Sequence, residues 1–120
     1  MMSGDSNCIF CKIVSGAIPC TKVHEDDEIL AFNDVHPLAP VHFLIIPKLH
    51  LASLVECDDS HRDVLGRILA LAGRLAAVQG ANDGFRTIIN TGRVGGQEVY
   101  HLHAHILGGQ ERLPRMLSRT

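Results

Sequence analysis

The segment HLHAHIL, residues 101–107, sets a histidine at every second position and an apolar residue at each position between. No other stretch restricts the fold as tightly. On a helix successive side chains turn by ~100°, so His101 and His105 would share a face while His103 pointed away. On a strand the period is two, so His101, His103 and His105 all project from one face. Leu102, Ala104 and Ile106 then enter a core behind them. The pattern predicts a strand, with neighbouring imidazoles ~6–7 Å apart from a rise of ~3.3 Å per residue.

Such a strand needs a sheet and a covering layer, and the rest of the chain can supply both. Its 120 residues suit one domain, 1–120, and 46 % are apolar with no tryptophan, so aliphatic side chains must fill the core. Within 8–14, Ile9, Phe10, Ile13 and Val14 fall at a helical period, and Ser15-Gly16 ends that short helix. EILAFND (28–34) reads as a strand. VHFLII (41–46) lies between prolines and is apolar on both faces, which predicts a central strand. Asp58, Asp59 or Ser60 can cap a long helix whose stripe is Leu65, Ile68, Leu69, Ala72, Leu75 and Ala76. Arg62, Arg67 and Arg74 lie largely off that stripe, and Gly80 is a natural stop. Gly66 and Gly73 each cost the helix about 1 kcal/mol relative to alanine, which packing must offset. FRTIIN (85–90) and VYHLHAHIL (99–107) complete the strands, and 1–7 and 110–120 read as tails. Strands on both sides of one long helix, without βα alternation, indicate an α+β fold with an antiparallel sheet.

Charge and composition exclude some partners. The formal net charge is −2 and basic and acidic residues are interspersed, so neither a nucleic-acid stripe nor a polybasic membrane patch is present. No apolar run approaches the ~20 residues of a membrane span, and MMSGDSN is unlike a secretory signal. The expected compartment is the cytoplasm, where the four cysteines would be reduced. The pair Cys8-x-x-Cys11 then reads as metal or redox chemistry rather than a disulfide. A redox role of the thioredoxin kind wants a βαβ context, which the pattern lacks. Cys20 and Cys57 have no such partners in sequence.

Three readings of the histidine face compete. It can be a solvated surface, a His-x-His metal site wanting a further ligand, or an anion site. In the third, TGRVGGQ (91–97), a glycine-bearing loop with free N–H groups, can hold a phosphate beside the imidazoles.

HLHAHIL also fits the histidine triad signature, His-φ-His-φ-His-φ-φ. Together with IFCKIVSGAIP (9–19), LAFNDVHPLAPVHFLIIPKLH (30–50), INTG (89–92) and GGQEVYHLHAHILGG (95–109), in that order, the chain resembles the histidine-triad nucleotide-binding branch over nearly its whole length. The resemblance implies an antiparallel five-stranded sheet with one long and one short helix, two subunits joining into a continuous ten-stranded sheet. It implies a hydrolase of purine nucleoside phosphoramidates, AMP or GMP joined to an amine, acting through a nucleotidyl-histidine. Cleavage of dinucleoside polyphosphates, or a nucleotide-binding adaptor role with weak turnover, are the rival readings.

Carried onto this chain, the resemblance makes His103 the nucleophile. A neutral imidazole is a competent nucleophile near pH 7 if its other nitrogen keeps its proton. His105 would donate to a nonbridging phosphate oxygen and His101 would orient the site from the other flank. Gly95 and Gly96 would let the backbone approach phosphate, with Gln97, Glu98 and Val99 beside it. Asn90 would bond the nucleotide, Asp34 would take the ribose hydroxyls, and Phe10, Ile29 and Val35 would touch the purine. Cys8, Cys11, His50 and His101 correspond to a structural Zn2+ set in some bacterial-type members. Two departures stand out. Glu98 occupies a position that is serine in several relatives, and the C-terminal tail lacks the Trp-Pro-Pro ending of some.

Overall fold

The computed structural model describes residues 7–117. The N-terminal tail expected at 1–7 therefore lies outside the described residues except for Asn7, and the C-terminal tail is described to Leu117, without helix or strand. In chain order the elements are α1 (Ile9–Ser15), β1 (Lys22–Glu25), β2 (Ile29–Asn33), β3 (Val41–Pro47), α2 (Arg62–Val78), β4 (Phe85–Ile88) and β5 (Ala104–Gly108). The strands form one five-stranded sheet in the order β1-β2-β3-β5-β4, antiparallel throughout. No helix among the described residues is long and apolar enough to cross a membrane.

Strand alternation divides the interior into two layers. Ile29 and Ala31 of β2, Phe43 and Ile45 of β3, and Ala104 and Ile106 of β5 pack on one face against Ile68, Ala72, Leu75 and Ala76 of α2. Leu30, Phe32, Leu44 and Ile46 face the other way, against Phe10 and the two cysteines of the α1 segment. β3 sits mid-sheet with every residue buried, as its two-sided apolar run predicts.

The helix differs from its sequence reading at two points. Leu69 lies on the outer side and is 56 % exposed, so the inward stripe is narrower than the apolar pattern. Asp58 caps not α2 itself but a preceding 3₁₀ turn, Asp59–His61, by accepting from the Ser60 N–H at 2.9 Å; α2 begins after His61 with no side-chain cap. Gly16 ends α1 in the left-handed conformation, φ +87°, which glycine adopts without a Cβ penalty.

β1 is an exposed edge that the sequence did not mark. The hairpin joining it to β2 is organised by Asp26, whose Oδ1 accepts from the amides of Glu28 and Ile29 at 2.8 and 2.9 Å. Arg67 of α2 donates to Asp26 Oδ2 at 2.6 Å and to Glu28 at 2.8 Å, tying the hairpin to the helix.

The histidine segment is shorter as a strand than 99–107. The β3–β5 ladder stops at Ile45↔Ala104. Pro47, two residues on, has no amide hydrogen to continue it, and its carbonyl takes the His101 ring N–H at 2.7 Å instead. Leu102 then donates to Leu51 O at 2.7 Å. The expected alternation nevertheless persists through this irregular stretch. Leu102, Ala104 and Ile106 are buried under α2, whereas His101 and His103 meet the Phe10 ring on the α1 face.

Candidate active site

A cavity of about 440 Å³ opens on the α1 face. Phe10, Phe32 and Leu44 line its apolar part, with Asp34 and Val35 at one side. Its polar end holds His103, His105, Asn90, Gly96 and Glu98, with Val99 alongside. Nine of the residues singled out from the sequence thus line one cavity: Phe10, Asp34, Val35, Asn90, Gly96, Glu98, Val99, His103 and His105. Ile13, Ile18 and Cys20 line it too and carried no signal beyond being apolar.

Four expected residues lie elsewhere. Ile29 belongs to the layer under α2, because its odd register in β2 turns it from the cavity. Gln97 is buried with its side chain turned into the loop: Oε1 accepts from Gly92 N–H at 2.9 Å, and Nε2 donates to Ala52 O at 2.7 Å and Val99 O at 3.0 Å. It braces the loop and has no hydrogen-bonding atom directed at the cavity. Gly95 does not line the cavity either; its Cα packs so close to Thr91 that a Cβ would lie 2.4 Å from the Thr91 carbonyl oxygen. His101 is fully buried beside the cysteines, outside the cavity lining.

The hydrogen bonds fix the histidine tautomers. His103 Nδ1 donates to the His101 backbone carbonyl at 2.8 Å, because a carbonyl can only accept. A neutral ring then keeps a lone pair on Nε2. The edge of His103 meets the face of Phe10 with centroids 5.2 Å apart, and His105 at 5.0 Å.

The sequence pattern marks His42 only as part of a central strand, yet it completes this constellation. The Leu38 N–H donates to His42 Nδ1 at 3.0 Å, so the proton of the neutral ring sits on Nε2. From there it donates to His105 Nδ1 at 3.0 Å, with Asp34 Oδ2 at 3.5 Å. His105 is left with its proton on Nε2. Asp34, His42 and His105 are close enough to resemble a metal triad. The Leu38 bond argues otherwise, since it occupies the one lone pair of a neutral His42, and a cation on Nε2 would need a second. The cluster is a directed relay that ends in an N–H donor. Burial, with His103 and His42 alongside, pushes the His105 pKa down to about 4, and burial also lowers that of His42 against the opposing pull of Asp34.

A second cluster lies behind the first. Cys8 Sγ and Cys11 Sγ stand 3.3 and 3.5 Å from His101 Nδ1, His50 Nδ1 is 3.2 Å from Cys11 Sγ, and the two Nδ1 atoms are 3.2 Å apart. The His101 Nε2–H donates to Pro47 O at 2.7 Å, so the Nδ1 lone pair faces the other three groups. A tetrahedral Zn2+ with bonds of ~2.3 Å to sulfur and ~2.0–2.1 Å to nitrogen has nitrogen–nitrogen and sulfur–nitrogen edges of roughly 3.3–3.6 Å and a sulfur–sulfur edge of roughly 3.8 Å. The observed spacings match, and the backbone acceptor behind His101 is the partner that metal-bound imidazoles characteristically have. The residues fit a metal. His101 and His103 therefore divide the work: His101 meets the cysteines with its ring and His103 with its backbone oxygen.

The HIT domain model matches residues 15–112. The chain belongs to the HIT family. A histidine triad protein from Clostridium difficile superposes with a TM-score of 0.89 at 48 % identity, covering 95 % of this chain and 99 % of that one. The 14 kDa zinc-binding protein of Brassica juncea is 48 % identical over 105 residues, 86 % of this chain and 93 % of the relative. Adenylylsulfatase HINT1 of Arabidopsis thaliana is 48 % identical over 109 residues, 89 % of this chain and 74 % of the relative.

In this HIT protein the hydrogen bonds give the cavity histidines directions: the His103 Nδ1–H is committed to the His101 carbonyl, leaving Nε2 as its free nitrogen, and His105 carries an N–H on Nε2. Among the described residues no lysine or arginine lines the cavity. An anion would meet hydrogen-bond donors rather than cations.

The depressed pKa of His105 has a consequence for stability. Unfolded, histidine titrates near pH 6.5; folded, His105 titrates at about 4. Between those values the unfolded chain binds the extra proton, so stability falls as pH drops from ~6.5 toward ~4. Urea midpoints measured at pH 7.5 and pH 5 are expected to decline, and to decline less in His105→Asn; an equal decline would exclude His105 as a contributor.

Proposed function

We propose that this protein hydrolyses purine nucleoside phosphoramidates, taking AMP or GMP joined to an amine through a nucleotidyl-histidine on His103. The observation that carries the reading is the 2.8 Å bond from His103 Nδ1 to the His101 carbonyl. It leaves the nucleophilic lone pair on the nitrogen opposite, at the polar end of a cavity of nucleotide size. Phe10 and Val35 would hold the purine and Asp34 the ribose hydroxyls, with Asn90 and the Gly96 backbone at the phosphate. His103 Nε2 attacks the α-phosphorus as the P–N bond breaks; the amine leaves with that electron pair and takes a proton from solvent. His105 Nε2–H donates to a nonbridging oxygen as charge builds there. Water then attacks the phosphorus and frees His103 and the nucleotide. The Arabidopsis relative is named for cleaving an adenylyl group from sulfate, a nucleotidyl transfer to water of the same form.

The metal is proposed to be zinc, held by Cys8, Cys11, His50 and His101. Four protein ligands leave no open position, so its part would be tethering α1, and with it Phe10, to the residue whose carbonyl orients His103. A homodimer is supported by the outer side of α2. Leu69 is 56 % exposed, and added Cβ atoms at Gly66 and Gly73 would meet nothing within 4 Å. Within the protomer nothing requires those glycines, whereas a second helix approaching closely would. β4 ends the sheet with an unpaired edge, where a partner strand would give ten strands.

Three outcomes are expected. Rapid mixing with an adenosine phosphoramidate should give an AMP adduct by intact mass, and His103→Ala should abolish it with loss of turnover by at least about 10³-fold; turnover surviving that change would refute the nucleophile. Protein purified without chelator should hold about one zinc per chain, and Cys11→Ser should lose most of it and melt lower. Light scattering should give twice the 13.1 kDa chain mass, with Leu69→Arg shifting the protein to the monomer.

A further inference from the structure

We propose that Glu98 selects substrates whose leaving amine carries a second, cationic nitrogen. The inference rests on the phosphoramidase reading and adds the chemistry of the group that departs.

A second cavity of about 310 Å³ lies between the start of α1, His50 and residues 98–100. It shares Ile9, Glu98 and Val99 with the nucleotide cavity. Glu98 stands where the two meet, beside the polar end that would hold the phosphate. Among the described residues neither cavity is lined by lysine or arginine, and their carboxylates are Asp34 and Glu98 alone.

The two carboxylates differ in what already engages them. Asp34 Oδ1 accepts from the His36 N–H at 2.8 Å, and Oδ2 lies 3.5 Å from His42 Nε2. The Glu98 side chain takes part in no hydrogen bond or ion pair among the described residues. Among the described residues no cation pairs with it, and it borders both cavities.

That charge sorts leaving groups by sign. A polyphosphate brings like charge to Glu98 and is disfavoured. A neutral alkylamine gains nothing from it. An amine with an ammonium a few bonds beyond the scissile nitrogen gains an ion pair, while Ile9 and Val99 cover its methylenes. For two charges about 4–5 Å apart near water the gain is about twofold to fivefold.

The test compares two AMP phosphoramidates of equal length, one of 1,3-diaminopropane and one of n-butylamine. The native protein should favour the first by about twofold to fivefold in kcat/KM, less at 0.5 M salt. Glu98→Gln should bring the ratio near one and Glu98→Lys should reverse it. Equal values for the native protein, or a preference that survives Glu98→Gln, would overturn the proposal. Calorimetric binding of the same pair to His103→Ala protein reads the carboxylate without turnover. A preference there with no hydrolysis by the native protein would sustain the subsite and sink the hydrolase reading. Equal affinities there would sink the subsite.

Discussion

One buried imidazole holds the site together. The His101 ring donates to Pro47 O at 2.7 Å on one side and turns its lone pair to Cys8, Cys11 and His50 on the other. Its backbone oxygen, 2.8 Å from His103 Nδ1, sets the tautomer of the central ring. A backbone acceptor is useful for this only if its peptide cannot rotate. Here the peptide is fixed from below by a side chain with no exposed surface, and one residue later by the Leu102 bond to Leu51. The same ring meets Phe10 at 5.9 Å. The short helix, the cysteine cluster, a wall of the cavity and the direction of a lone pair therefore depend on one residue.

In the proposed reaction an anion would meet a neutral donor, which follows from how deeply His105 is set. Burial pushes His105 down to about 4, so near neutrality its Nε2–H donates without charge. A cationic site would bind the product nucleotide as strongly as the reacting phosphorus. Neutral donors aimed at one position favour charge developing there, and only binding that grows in the transition state accelerates the step. His42 makes this possible for His105. Its proton occupies His105 Nδ1 and forces the other nitrogen to carry a hydrogen, without any formal charge entering the pocket.

What could be read beforehand depended on whether the relevant neighbours were close along the chain. The alternation at 101–107, the two-sided run of β3 and the core stripe of α2 are local patterns, and each fixed a face. β1 escaped because an exposed, polar edge strand has no apolar alternation to announce it. The early start assigned to the last strand failed at Pro47, a residue 54 positions from His101. His42 was legible as a strand residue but not as part of the site. Its bond to His105 requires the β3–β5 register Leu44↔His105, which is tertiary information. Gln97 was misplaced for a related reason. Its glycine neighbours suggested phosphate, whereas its amide is spent on Ala52, 45 residues away.

The brace made by Gln97 also determines which neighbours are free to face a ligand. From 97 to 101 burial alternates: Gln97 and His101 are buried, Val99 is half-buried, and Glu98 and Tyr100 are exposed. The segment bends at 99–101, and with residues 97 and 101 anchored inward Glu98 lies on the exposed side. The anchors are strong, since Gln97 satisfies three backbone groups and His101 joins the cysteine cluster. Glu98 can thus differ in charge without loosening the loop that presents Gly96 or the carbonyl that orients His103. In the proposed reaction the attack would be set by residues locked on the inner side of this segment. Discrimination among leaving groups would fall to a residue on its outer side, free of the packing that fixes the rest.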